Sequence, residues 1–155
     1  MDEPTADPLE LDRQVCFALA VASRSVIAFY RPVLEPLGLT HPQYLVMLAL
    51  WEDSPVRFGD LAARLSLDLA TLSPLVRRLE AAGLVTRRRG EADARVVELE
   101  PTPAGRALRE RAIAVPTRIV ERLGVPLERL QALRDDLTAL IAAVSAAERR
   151  EAAPR

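Results

Sequence analysis

Asp68-Leu-Ala-Thr-Leu-Ser-Pro-Leu-Val-Arg-Arg-Leu-Glu-Ala-Ala-Gly83, continued by Leu84-Val-Thr-Arg-Arg-Arg-Gly-Glu-Ala-Asp-Ala-Arg-Val-Val-Glu-Leu99, decides how the rest of the chain is read. In its first half, Leu72, Leu75, Val76 and Leu79 recur at i, i+3, i+4 and i+7. That period lines one face of a helix. Gly83 follows the last periodic residue, where a left-handed C′ position costs glycine least. Pro74 has no N–H, so it is expected near the first turn, with Thr71 or Asp68 in the capping region. The outward face then carries Ser73, Arg77 and Arg78, whose side chains can reach phosphates or base edges.

The second half predicts a β-hairpin. Leu84-Val-Thr86 and Val96-Val-Glu-Leu99 are rich in strand formers, and residues 90–94 supply a polar turn. Arg87, Arg88, Arg89 and Arg95 flank that turn. Between Arg77 and Arg95 six arginines face Glu80, Glu91 and Asp93, a local surplus of three positive charges. A helix presenting arginines, followed at once by a basic hairpin, is what a winged helix-turn-helix needs. The helix enters the major groove and the hairpin reaches phosphates or the adjacent minor groove. The plainer alternative is a solvated amphipathic helix beside an ordinary hairpin.

Composition limits the partners. The chain has 155 residues and is 50% hydrophobic, enough for one domain with an extension. Net charge is −1, so contact with nucleic acid must come from local clustering. All 21 basic residues are arginine, which reflects coding bias as much as a need for guanidinium geometry. Apolar runs are short, so no membrane partner is expected. An acidic, proline-containing start without a signal-peptide pattern, and a single cysteine, suit a reducing cytoplasm. One cysteine and one histidine are too few for an ordinary structural zinc site, and no cofactor or metal is expected.

Around the opening stretch the chain divides into a flexible tail (1–8), N-terminal helices for dimerisation and sensing (9–39), a winged helix-turn-helix domain (40–101), C-terminal dimerisation helices (102–148) and a flexible tail (149–155). Leu9 to Tyr30 is apolar on more than one face, which demands burial, and Pro32 and Pro36 are expected to break that helix. Thr40-His-Pro-Gln43 matches a capping box. The helix behind it holds Tyr44 and Trp51 as core residues. A short helix from Phe58 to Leu65 and a turn at Ser66-Leu67 lead into the opening stretch, completing a helix-turn-helix. Thr102-Pro103 starts another helix, Pro116 should kink or end it, and Gly124-Val-Pro126 opens a last helix. That helix stripes Leu130, Leu133, Leu137, Leu140, Ile141 and Val144 along one face. The overall expectation is a mainly α fold with a small β-hairpin wing, flanked by dimerisation helices. Packing of those helices within the chain is the alternative.

These stretches resemble the MarR family of winged-helix repressors, and within it the organic-hydroperoxide-responsive OhrR branch of one-cysteine type. The likeness runs from Leu9 to about Val144. It is carried by Val15-Cys-Phe-Ala-Leu19, Tyr30-Arg-Pro-Val-Leu34, Leu37-Gly-Leu-Thr-His-Pro-Gln-Tyr-Leu45, Leu50-Trp-Glu52, Thr71-Leu-Ser-Pro74, Arg78-Leu-Glu80, Gly83-Leu-Val-Thr-Arg87 and Asp93-Ala-Arg95. The resemblance implies a homodimer on a pseudo-palindromic double-stranded operator. It also implies Cys16 as the sensing thiol, Tyr30 as a group that holds its thiolate, and Arg95 as a wing-tip residue oriented by Asp93. Other tyrosines of that branch are replaced here by Ala20 and His41, and His41 becomes the candidate substitute donor. With no second cysteine, an oxidised Cys16 would be capped by a small thiol or over-oxidised.

Fourteen residues separate Cys16 from Tyr30. They share a helical face but lie ~21 Å apart along one helix, so they can meet only across two antiparallel copies. A buried structural cysteine and a core tyrosine are the ordinary alternatives. Leu69 and Ala70 either meet thymine methyl groups or simply pack. Three functions follow: a repressor released by organic hydroperoxide, a repressor released by a small aromatic or phenolic ligand, and, least supported, a thiol-dependent peroxidase. The first two are not enzymes.

Overall fold

The computed structural model describes residues 7–152; most of the expected N-terminal tail and the end of the C-terminal one lie outside them. Two compact units are present, one up to Val115 and one from Pro116. A 3₁₀ turn at Leu11–Arg13 precedes α1 (Val15–Leu34). After a second 3₁₀ turn, Glu35–Leu37, come α2 (His41–Glu52), β1 (Val56–Arg57), α3 (Phe58–Arg64), α4 (Leu69–Ala81), β2 (Val85–Arg89), β3 (Val97–Pro101) and α5 (Pro103–Ala112). α6 (Val115–Leu123) and α7 (Leu127–Ala152) follow.

The core of the first unit is aliphatic. Leu34, Met47, Leu50, Leu61, Leu72 and Leu99 are fully buried, bringing α1 through α4 onto β3. Tyr44 is buried, and Trp51 is half-buried with its indole N–H donating to the Gly105 carbonyl at 2.8 Å. The capping box forms as expected: Gln43 N–H donates to Thr40 Oγ1, and Thr40 N–H donates to Gln43 Oε1 at 2.9 Å. Thr102 caps α5 through Gly105 N–H at 3.0 Å.

Three expectations are corrected, and one is extended. Pro32 does not break α1, which runs two residues past it to Leu34. Its φ suits the helix, and near the C-terminal end the lost donor disturbs only the final turn. Pro74 lies beyond the first turn of α4, with Asp68 as N-cap and Leu69 as first residue. The expected hairpin is present as β2 and β3, and a third strand joins it in an antiparallel sheet of order β1-β3-β2, because Val56 and Arg57 pair with Leu99 and Glu98. Finally, α7 stays helical through Ala152; its Ala, Glu and Arg residues are strong helix formers and favour helix over fraying.

The segment Val15–Leu37 is long and apolar enough to cross a membrane by length and composition, although its individual apolar runs are short. Arg24 and Arg31 interrupt it. In the single chain most of α1 is exposed, including Val15, Leu19, Val26 and Ile27. On α7, Leu133, Leu140, Ile141 and Val144 are likewise exposed.

Candidate DNA-binding and sensing sites

The sequence of α4 builds a helix with two faces. Asp68 accepts from Thr71 N–H at 2.6 Å, and that bond holds the Asp68 carboxyl below its usual range. Leu72, Val76 and Leu79 are buried, whereas Leu69, Arg77 and Arg78 are exposed. Ser73, expected on the outward face, is half-buried. Gly83 takes φ +72°. Leu84 N–H reaches the Leu79 carbonyl at 3.0 Å and Gly83 N–H that of Glu80 at 2.9 Å, a Schellman ending. Thr102 Oγ1 donates to the Gly83 carbonyl at 2.6 Å, and Thr102 N–H donates to that of Leu84 at 3.0 Å. A Cβ on Gly105 would run into the same Leu84 carbonyl. The end of α4 is thereby locked to the start of α5.

The wing arginines differ in their engagement. Arg87 Nε lies 2.9 Å from Glu80 Oε2 of α4, and its guanidinium sits 5.3 Å from the centre of the Phe58 ring. Arg88 faces Glu98 across the strand pair at 3.4 Å and Glu91 at 3.6 Å. Its buried Nε makes no true hydrogen bond, so the Glu98 contact is an ion pair only. Arg89 donates to the Ala94 carbonyl at 3.3 Å. At the wing tip, Arg95 N–H and Nε reach Asp93 Oδ1 at 2.9 and 3.2 Å. The Arg95 side chain is 92% exposed. Its backbone bond, then its side chain, depress the Asp93 carboxyl, and the charge of Arg57 adds to this. Arg57 was not foreseen: two residues of β1 are too few to show a period, yet they set this cation opposite Glu98 at the base of the wing.

On the sensing side, Cys16 is an exposed free thiol in the first turn of α1. Tyr30 is half-buried, edge-on to His41 with ring centres 5.0 Å apart, and 6.3 Å from Tyr44. Burial raises both tyrosines above their ordinary values, and Tyr30 adds to the rise at Tyr44. Burial lowers His41 below its own, so the imidazole favours its neutral form. The fold thus joins Tyr30 to His41, while Cys16 stands at the far end of the same helix. No group of three or more metal-ligating side chains exists among the described residues.

Residues 39–97 match the model of the MarR family. The chain is 37% identical over 135 residues to the organic hydroperoxide resistance transcriptional regulator of Bacillus subtilis (strain 168), covering 87% of this chain and 92% of that one. The chain belongs to the MarR family. Among solved structures, this MarR-family protein is similar to reduced AbfR bound to DNA, with TM-score 0.72 and 29% identity over 86% of this chain and 94% of AbfR. It is also similar to CouR from Rhodococcus jostii RHA1 bound to p-coumaroyl-CoA, with TM-score 0.72 and 29% identity over 85% of this chain and 94% of CouR. MarR-family regulators are DNA-binding transcription factors and not enzymes. The chain is such a regulator, and the peroxidase alternative falls.

Proposed function

We propose that this regulator is a homodimeric repressor that releases its operator when organic hydroperoxide oxidises Cys16. The observation that carries the reading is an exposed thiol in the first turn of α1, in a chain 37% identical to an organic hydroperoxide resistance regulator. The thiolate attacks the distal peroxide oxygen, the O–O bond breaks, the alcohol leaves, and Cys16 becomes a sulfenic acid. A small thiol then displaces water to form a mixed disulfide, or a second peroxide takes the sulfur to sulfinic acid.

Dimerisation supplies what a lone chain lacks. Exposed aliphatic side chains along α1, and separately along α7, need a cover, and a second copy is the self-complementary one. An antiparallel α1 pair would bring Tyr30 and His41 of one subunit to Cys16 of the other. On DNA, Ser73, Arg77 and Arg78 serve the major groove, and Arg88, Arg89 and Arg95 serve the wing, with Asp93 orienting Arg95. Residues 9–39 and 102–148 form the dimer, and the compartment is the cytoplasm.

A second reading has its own support. A pocket of about 380 Å³ lies beside the Tyr30–His41 pair, lined by Ile27, Arg31, Leu39 and His41 among others. Arg31 would pair with the carboxylate of a small aromatic acid. The test is a binding titration on a duplex selected from a random-sequence pool by the wild-type protein. With cumene hydroperoxide, wild type should release the duplex and Cys16→Ser should hold it. Tyr30→Phe should bind normally and release more slowly. Release of Cys16→Ser by hydroperoxide would overturn the redox reading; release of both proteins by an aromatic acid, lost in Arg31→Ala, would put the ligand reading in its place.

A further inference from the structure

Six arginines crowd the recognition helix and wing, and charge alone would make each a phosphate ligand. The structure distinguishes one by the elements it joins: Arg88 pairs only within the hairpin, with Glu98 and Glu91, whereas Arg87 reaches beyond it. Arg87 follows Val85 by two positions on β2 and stands directly opposite Leu99. Both neighbours are buried, Val85 at 3% and Leu99 at 0% exposure. Alternation along a strand and pairing across it therefore put the Arg87 side chain on the face of the sheet turned toward the helices. There its Nε meets Glu80 on α4, the residue three positions before the left-handed Gly83 turn. Its guanidinium also covers the ring of Phe58, the first residue of α3. One side chain thus spans three elements: the strand that carries the wing, the recognition helix and the helix before it.

We infer that Arg87 is a positioning residue, a strut that fixes the angle between the wing and the recognition helix through Glu80 and Phe58. Glu80 is its working partner and not a stray acid beside DNA. An isolated exposed ion pair contributes little. This one is reinforced by the aromatic face beneath it and by partial burial of both partners, at 38% and 28% side-chain exposure. It also bridges the two sides of the turn, where a small angular error moves the wing tip far from the groove. The inference rests on the wing touching DNA, for which Arg95→Ala is the separate control: unchanged binding there would remove the wing from the interface, whereas the mobility measurement below would still test the strut.

A strut and a phosphate ligand respond differently to loss of the acid. The variants are Arg87→Ala, Arg87→Lys, Glu80→Gln and the Arg87→Ala/Glu80→Gln double, titrated on the selected duplex across a salt series. A spin label at Ala94→Cys, in a Cys16→Ser background, reports wing motion without DNA. If Arg87 is a strut, Arg87→Ala and Glu80→Gln each weaken binding by about tenfold, and the double is no weaker than the worse single. The salt slope stays at the wild-type value, the wing label becomes more mobile in all three, and Arg87→Lys restores both readings. If Glu80→Gln binds more tightly, Arg87→Ala lowers the salt slope by about one and the label is unmoved, Arg87 is a phosphate ligand and the inference is overturned.

Discussion

At the scale of single residues, the site is a set of side chains whose company decides their use. Arg77 and Arg95 share a residue type with Arg87, yet of the three only Arg87 lies against both an acid and a ring. Sequence could count the arginines but could not sort them, because the sorting depends on Phe58, twenty-nine positions upstream of Arg87. His41 was legible as a capping-box residue and a candidate donor. Its edge-on contact with Tyr30 needed the tertiary turn between α1 and α2. Burial lowers its affinity for a proton in the fold relative to the unfolded chain. The unfolded state therefore binds the proton first as pH falls below about 6.5. Folding stability is full above that value and declines as pH drops toward the folded-state pKa. Arg31 and Glu35 line the neighbouring pocket and contribute background charge. Urea midpoints between pH 7 and 5 should fall more for wild type than for His41→Gln; parallel curves would remove His41 as the cause.

At the scale of elements, most of the fold was legible because it rests on local signals: the apolar period of α4, the caps at Thr40 and Thr102, and glycine after helix ends. What escaped was either too short or non-local. β1 has only two residues and exists because β3 pairs with it, and Pro32 is absorbed by a helix already near its end. The turn between α3 and α4 carries a further consequence. Leu67 N–H reaches the Ala62 carbonyl at 2.9 Å and Ser66 N–H that of Ala63 at 3.1 Å. This is the same ending that Gly83 gives α4, but here Ser66 holds the left-handed position, at φ +53°. A side chain there carries a steric cost that glycine avoids. Ser66→Gly should stabilise the protein by about 0.5–1 kcal/mol in chemical denaturation, with DNA affinity unchanged. A loss of stability would mean that the Ser66 side chain contributes contacts outweighing that cost.

At the scale of the whole molecule, the single chain leaves aliphatic surface uncovered that a dimer would bury. Ile141, 61% exposed on α7, tests this. Because it is already in solvent, Ile141→Asp should leave the subunit folded. A carboxylate forced into an apolar interface should weaken dimerisation by about 100-fold or more. Sedimentation should then show a folded monomer that binds one half-site weakly and loses tight binding to the full duplex; an unchanged dimer would remove α7 from the interface. The tight seam at Gly105 adds a last implication. With Thr102 bonded to Gly83 and Leu84, and no room for a Cβ beside Leu84, the recognition helix cannot retract on its own. In each subunit of the proposed dimer, the recognition helix, the base of the wing and the start of α5 form a reading head cast in one piece. The quantity left to regulate is the span between two heads, set against half-sites ~34 Å apart. Such a dimer would work as callipers: in the proposed reading it lets go of DNA when its effector changes the gap between the jaws, while each jaw keeps its shape.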